Sequence, residues 1–234
     1  MHELTKPPVP DQGPHIITID GPAGAGKSTT ARMLAERLGW EHLDTGATYR
    51  AMAAVALMNG IKPEDREMLI EMSERVAISF EGPISDRKVI ADGVDITTII
   101  RSPDVSRASS PISAVPEVRE RLVALQRNLA EGRNTVAEGR DTGTVVFPNA
   151  TAQIYLTASP EVRAARRVMD FAGQKLIVSV EDVLKDIQTR DERDSTREVS
   201  PLKPAEDAFI VTTDNLEPSE VVDRIIAYYV EITS

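Results

Sequence analysis

The chain has 234 residues, 41% of them hydrophobic and 27% charged. That is enough apolar material for one sizeable α/β core with a smaller appended piece. The net charge is −10, whereas a broad nucleic-acid-binding face shows as a basic excess, so no nucleic-acid partner is expected. There are no cysteines, which removes disulfides, thiolate metal sites and a cysteine nucleophile and fits a reducing, cytoplasmic setting.

The opening MHELTKPPVPDQGP has no apolar core of the kind a secretory signal needs, and reads as a flexible tail over 1–14. No apolar run approaches ~20 residues, so no membrane partner is expected either. HIITID (15–20) is a short buried strand by its length and β-branched content. It runs into Gly21-Pro22-Ala23-Gly24-Ala25-Gly26-Lys27-Ser28 and then Thr29, a phosphate-binding loop opening a helix. Glycines let backbone N–H groups turn toward phosphate oxygens, and the helix adds its positive N-terminus. Lys27 brings a charge to the β- and γ-phosphates, and the Ser28 hydroxyl is placed for a magnesium ion. Residues 21–29 are the candidate contacts to a nucleoside triphosphate.

Met33, Leu34 and Leu38 recur at helical spacing up to Gly39. WEHLD reads as a second strand, and TGATYRAMAAVALMNGI as an alanine-rich helix ending near Asn59-Gly60. Positions 63–112 change character. EDREMLIEMSERV is a charged amphipathic helix; AISFEG, RKVIADG and VDITTII are short strands; Asp92-Gly93 is a hairpin signal. This stretch is expected to be an inserted α+β subdomain, with SPDVSRASSPISAVP as a polar, proline-punctuated connection back to a core of 15–62 and 113–234.

PEVRERLVALQRNLAEG is an amphipathic helix with Val118, Leu122, Leu125 and Leu129 as its apolar stripe. NTVAEGRD and AQIYLTA are further strands, SPEVRAARRVMD a helix, VSVEDVLKDIQTRDERDSTREVSPL a charged helix and polar loop, DAFIVTT the last strand and EPSEVVDRIIAYYVEI the last helix. Strands alternating with helices imply an α/β fold of the phosphate-loop NTPase type, a parallel sheet with helices on both faces. Ligands in such sheets bind at the strands' carboxyl ends. Asp44, Glu138, Gly139, Arg140 and Asp141 follow strand ends and are expected to face the loop's crevice. The histidines, His2, His15 and His42, show no ligand spacing and read as surface or local packing residues.

A guanine-reading Asn-Lys-x-Asp element is absent, and the chain is short for a motor or a transporter ATPase, which leaves mainly small-molecule kinases. Behind the loop, LDTGATYRA (43–51), EGRDTGTVVFP (138–148), RAARR (163–167) and RDERDSTREVSPL (190–202) follow in order. Together they resemble the bacterial cytidylate kinases, which transfer a phosphoryl group from ATP to CMP or dCMP. The resemblance spans about 15–230 and includes the insert, which it makes the nucleoside-monophosphate-binding subdomain. It implies ATP as donor, Mg2+ on Ser28, a mobile lid at about 175–200, and Lys27, Arg140, Arg190 and Arg197 as the charges on the moving group.

Arginine forks hold phosphate in two-point contacts that lysine cannot make. By resemblance, Arg50 and Arg140 grip the CMP phosphate, with Thr45 and Tyr49 beside Arg50; a surface salt bridge is the plainer alternative. Cytosine offers an amino donor and two acceptors, so a carboxylate and a donor can read it. The resemblance gives Asp141 and Arg119 those roles and adds Ser110. Arg190, Arg193 and Arg197 stand at i, i+3 and i+7, one face if helical, which alone would also suit a solvated helix with local ion pairs. By resemblance Arg190 and Asp194 touch the ribose and Arg197 the phosphates, while Arg163, Arg166 and Arg167 support ATP. Three positions depart from the family pattern: Glu138 stands where aspartate is usual, and Thr45 and Ser28 stand where some members have serine and glycine. UMP, AMP and shikimate remain alternative acceptors, and a nucleotide-dependent switch remains an alternative class. A monomer is expected, as no apolar surface helix suggests otherwise.

Overall fold

The computed structural model describes residues 13–173 and 177–234. Most of the expected tail (1–14) and the first residues of the expected lid (175–200) therefore lie outside the described residues. The chain divides into two compact units: residues through His42 with Gly132–Ser234, and Leu43–Glu131.

The first unit is built on β1 (Ile16–Asp20), α1 (Lys27–Leu38), β2 (Glu41–Asp44, within which the chain leaves the unit), β6 (Thr135–Glu138), β7 (Ala152–Thr157), α6 (Pro160–Gly173), α7 (Val180–Thr196), β8 (Phe209–Thr212) and α8 (Pro218–Thr233). The strands form one sheet in the order β2-β6-β1-β7-β8. β1 runs parallel to β6, with Ile16 opposite Thr135 and Ile19 opposite Glu138, and parallel to β7, which is parallel to β8. Successive strand residues point to opposite faces, yet Ile17 to Asp20 and all of β6 are buried. Both faces are therefore covered, as the apolar runs at 15–20 and 134–141 require. Tyr229 packs edge to face with both His15 and Trp40, and His15 Nδ1 lies 3.0 Å from the Tyr229 hydroxyl.

The second unit contains α2 (Thr45–Met58), α3 (Arg66–Arg75), β3 (Ile78–Glu81), β4 (Lys88–Ala91), β5 (Val94–Asp95), α4 (Pro103–Ile112) and α5 (Pro116–Ala130). β3-β4-β5 is an antiparallel sheet. Its second hairpin turns at Asp92 and Gly93, both at positive φ, and pairs Ala91 with Val94. The unit is wider than the expected 63–112, because α2 and α5 share its apolar cluster with Leu69, Val89, Ile100 and Ile112.

Four local expectations change. The stretch 102–116, expected as a connection, contains α4: the Ser102 side chain accepts from Val105 N, Pro103 occupies the first turn, and Val105, Ala108, Ser109 and Ile112 bury one helical face. The strand expected over VDITTII stops at Asp95, whose Oδ1 accepts from Thr97 N and Oγ, folding the chain into a turn. The buried stripe of α5 is Val118, Arg119, Leu122, Val123, Gln126 and Ala130, leaving Leu125 and Leu129 half-buried. Gln126 tolerates this because Nε2 donates to Thr48 Oγ1 at 2.8 Å. Finally, α7 ends at Thr196, with Arg197 extended and Leu202 N donating to the Asp194 carbonyl. Arg197 is thus off the helix and Arg193 is exposed, so the three arginines do not share a helical face.

Removing the cap of α4 by Ser102→Ala is expected to cost about 1 kcal/mol, read as a lower urea midpoint at unchanged m-value. The mid-helix control Ser106→Ala is expected to stay within about 0.5 kcal/mol of the parent.

Candidate active site

The phosphate loop leaves β1 at Asp20 and enters α1 at Lys27. Its shape needs glycine at two places. Gly21 has φ 146, and a Cβ there would lie 2.0 Å from the Leu156 carbonyl oxygen; Gly24 has φ 77, with its Cβ 2.8 Å from the Arg163 carbonyl. β7 and α6 thus press directly on the loop backbone. Gly26 is the N-cap of α1 in the left-handed region, no side chain caps that terminus, and its first turn carries no acid. The helix start is left to an anion.

Lys27 is buried and its Nζ donates to Pro22 O at 2.7 Å. Burial, then the nearby Arg140 guanidinium, hold its ammonium well below the ordinary lysine pKa, with Arg190 adding a lesser push and the carboxylates of Glu138 and Asp20 pulling the other way. A polyphosphate placed at this loop would reverse that field, so the residues fit a nucleoside triphosphate. Ser28 Oγ donates to Glu138 Oε2 at 2.7 Å, which leaves oxygen lone pairs for a cation, so the position also fits a magnesium ligand.

At the end of β6, Arg140 Nε donates to Asp194 Oδ2 at 3.1 Å, and Arg190 Nε lies 3.8 Å from the same oxygen. Arg197 Nη2 lies 3.5 Å from Asp141 Oδ1. The structure therefore gathers Lys27, Arg140, Arg190, Arg197, Asp141 and Asp194. Asp20, which sequence reasoning passed over, sets the backbone just beyond Asp141. Its two oxygens accept from Thr142 N (2.9 Å) and Gly143 N (2.7 Å), at the start of a π-helical turn over Thr142–Val146. Burial raises its pKa, against those two hydrogen bonds.

The RAARR arginines divide. Arg163 is buried, and its guanidinium donates to the carbonyls of Ala158 and Ala23 and to Asp191 Oδ2 at 2.6 Å. It clamps the loop from behind and ties it to α7; α6 and α7 also share Ala164, Val183 and Ile187 as a small core. Arg166 donates to Thr213 Oγ1 and O, and Arg167 lies over the Phe171 ring. Arg166 and Arg167 line a cleft of about 700 Å³ with Gly24 to Thr30, Asp170 and Thr213 to Pro218. Sequence reasoning missed the 213–218 segment. The signal available was its place at the carboxyl end of the last strand.

In the second unit, Asp44 caps α2 by accepting from Ala47 N at 2.9 Å and holds Arg50 Nη2 at 2.6 Å. Arg119 is buried, stacks its guanidinium 5.3 Å from the Tyr49 ring centroid and donates to Ser113 O. Thr45 and Ser110 are buried, and the Thr45 carbonyl accepts from Thr48 Oγ1. Among the described residues no group of three or more His, Asp or Glu is arranged to hold a metal by itself, and no helix is long and apolar enough to cross a membrane.

The family model described as cytidylate kinase matches residues 17–231. The chain belongs to the cytidylate kinase family. It is 48% identical over 215 residues to a cytidylate kinase of Desulfitobacterium hafniense, covering 91% of each chain. It is 45% identical over 210 residues to one of Carboxydothermus hydrogenoformans, covering 90% of this chain and 95% of that one. It is also 45% identical over 227 residues to a bifunctional pantoate ligase/cytidylate kinase of Synechococcus sp. (strain JA-3-3Ab), covering 95% of this chain but 42% of that longer protein. The chain thus spans about two fifths of the length of such fused relatives.

A buried ammonium beside two guanidiniums costs stability in the absence of an anion. Lys27→Met is expected to raise the urea midpoint of the ligand-free protein and to abolish the further rise produced by ATP with magnesium. A lower ligand-free midpoint would contradict the charge assignment.

Proposed function

We propose that the chain transfers the γ-phosphoryl group of ATP to CMP or dCMP, giving ADP and CDP or dCDP. Family membership supports the reaction class. The observation that carries the local reading is the burial of Lys27 among Arg140 and Arg190, a concentration of positive charge suited to two facing phosphate groups. The loop residues Gly21 to Thr29 hold the triphosphate, Arg166 and Arg167 flank its nucleoside end, and Arg163 keeps the loop in shape. Ser28 would hold Mg2+, which would supply neutralisation of the phosphate charge.

Arg50 and Arg140 grip the CMP phosphate, with Thr45 and Tyr49 beside Arg50. Arg119 and Asp141 read the base, with Ser110 as a further contact, and Arg190 and Asp194 reach the ribose. Each of these arginines has a carboxylate or an aromatic face as partner: Arg50 with Asp44, Arg140 and Arg190 with Asp194, Arg197 with Asp141, Arg119 with Tyr49. At Arg50, Arg140 and Arg197 a phosphate replaces the carboxylate without a search through rotamers. The acceptor phosphate oxygen is already ionised near neutral pH, so the transfer is in line, with no phosphoenzyme and no strong general base. Residues 63–112 serve as the acceptor-binding subdomain and 175–200 as the lid, whose closure excludes water. All the residues assigned lie on one chain, so a monomer suffices.

A coupled ADP-release assay across CMP, dCMP, UMP, AMP and shikimate tests the assignment. CMP or dCMP is expected to lead the panel, and turnover led by another acceptor would overturn it. Asp141→Ala is expected to lower kcat/KM for CMP by about 10⁴-fold, the loss typical of an unpaired buried polar reader, while UMP changes far less. Unaltered CMP kinetics would remove Asp141 from the base-reading role.

A further inference from the structure

We propose that His42 is a positioning residue for the metal-side hydroxyl of Ser28, acting through Glu138; the inference rests on the phosphoryl-transfer reading and deepens it. The three side chains form a line across the first unit. His42 lies on β2, Glu138 ends the adjacent strand β6, and Ser28 is in the first turn of α1. Glu138 Oε2 accepts from Ser28 Oγ at 2.7 Å, and Glu138 Oε1 lies 3.1 Å from His42 Nε2. The glutamate carboxylate is almost wholly buried and the imidazole nearly so, with side-chain exposures of 4% and 13%.

A serine hydroxyl has one proton and two lone pairs. Committing the proton to Glu138 leaves the lone pairs toward the phosphate loop, where a cation would sit. The direction in which Ser28 presents them therefore depends on the orientation of the Glu138 carboxylate. That carboxylate can rotate about its last bond, a broad torsion with no strong preference. An N–H donor on the second oxygen fixes the plane, which is what His42 Nε2 supplies. Groups hydrogen-bonded to a metal's first ligand hold it in orientation and are worth about 10–100-fold in metal affinity or activity; Glu138 is that group here, and His42 holds Glu138 in turn.

The same line accounts for the departures from the family pattern at two positions. An aspartate at 138 would be shorter by one carbon–carbon bond, ~1.5 Å, and would not span from the His42 ring to Ser28 Oγ with two separate oxygens. A glycine at 28 would have no hydroxyl to direct. Glu138, Ser28 and His42 thus make sense as a set, and the reading of His42 as a packing residue leaves the hydrogen bond to a buried carboxylate without a purpose.

The test measures ATP affinity by calorimetry in EDTA and in magnesium, for the parent, His42→Phe and His42→Gln. Phenylalanine keeps the ring volume and removes the donor; glutamine restores an N–H at comparable reach. His42→Phe is expected to lose about 10-fold of the magnesium-dependent gain in ATP affinity, with the EDTA affinity unchanged, and His42→Gln is expected to recover most of it. An undiminished magnesium gain in His42→Phe, or an equal loss with and without magnesium, would overturn the proposal. Should His42→Phe not fold, Glu138→Asp supplies the same comparison, since it shortens the line at its centre. No acceptor enters the measurement, so a chain that phosphorylated something other than CMP would still give a clear answer about His42.

Discussion

The site depends on one electrostatic constraint: the ammonium of Lys27 is buried and shares its surroundings with the guanidiniums of Arg140 and Arg190. The carbonyl of Pro22 and the carboxylates of Glu138 and Asp20 relieve this crowding in part. An anion with several oxygens would relieve it further. The shape of the loop serves that end. Gly21 and Gly24 let β7 and α6 bear on the backbone, and Arg163 ties the loop's Ala23 carbonyl to α6 and α7. The loop is therefore rigid before any phosphate arrives, and its donors cost little reorganisation when one does.

The carboxylates paired with the arginines do a complementary job. Asp194 holds Arg140 and stands near Arg190, Asp141 stands near Arg197, and Asp44 holds Arg50. The Arg50–Asp44 pair is partly exposed and contributes little to stability; Asp141 and Asp194 are buried, so a phosphate that takes over their arginines meets guanidiniums already desolvated and extended. Asp20 has a different part. Its buried carboxylate accepts from two successive backbone N–H groups after Asp141 and so fixes the backbone there from the strand that also launches the phosphate loop.

The parts of this arrangement legible in the sequence are those imposed by backbone geometry. The glycine spacing at 21, 24 and 26 and the apolar runs of β1, β6 and β7 specify a loop between a buried strand and a helix with few alternatives. The illegible parts depend on tertiary partners. α4 is hidden behind serines and prolines because its cap, Ser102, and its buried face look like a loop until Val105, Ala108, Ser109 and Ile112 are counted at helical spacing. Arg119 and Gln126 sit on the buried face of α5, where a stripe of leucines was expected, because Tyr49 and Thr48 receive them. Arg163 and Arg167 look alike in RAARR, yet one is a buried clamp and the other lines the cleft. Thr213 to Pro218 contribute as much lining as the loop does, with no motif beyond their position after β8.

The most direct test of the central claim is the affinity, by calorimetry, of a bisubstrate analogue in which cytidine and adenosine are joined by a pentaphosphate. Two adjoining anion sites with a cytosine reader predict binding tighter than that of ATP alone and a marked loss when uridine replaces cytidine. Affinity no better than that of ATP, or equal for the two pyrimidines, would contradict it.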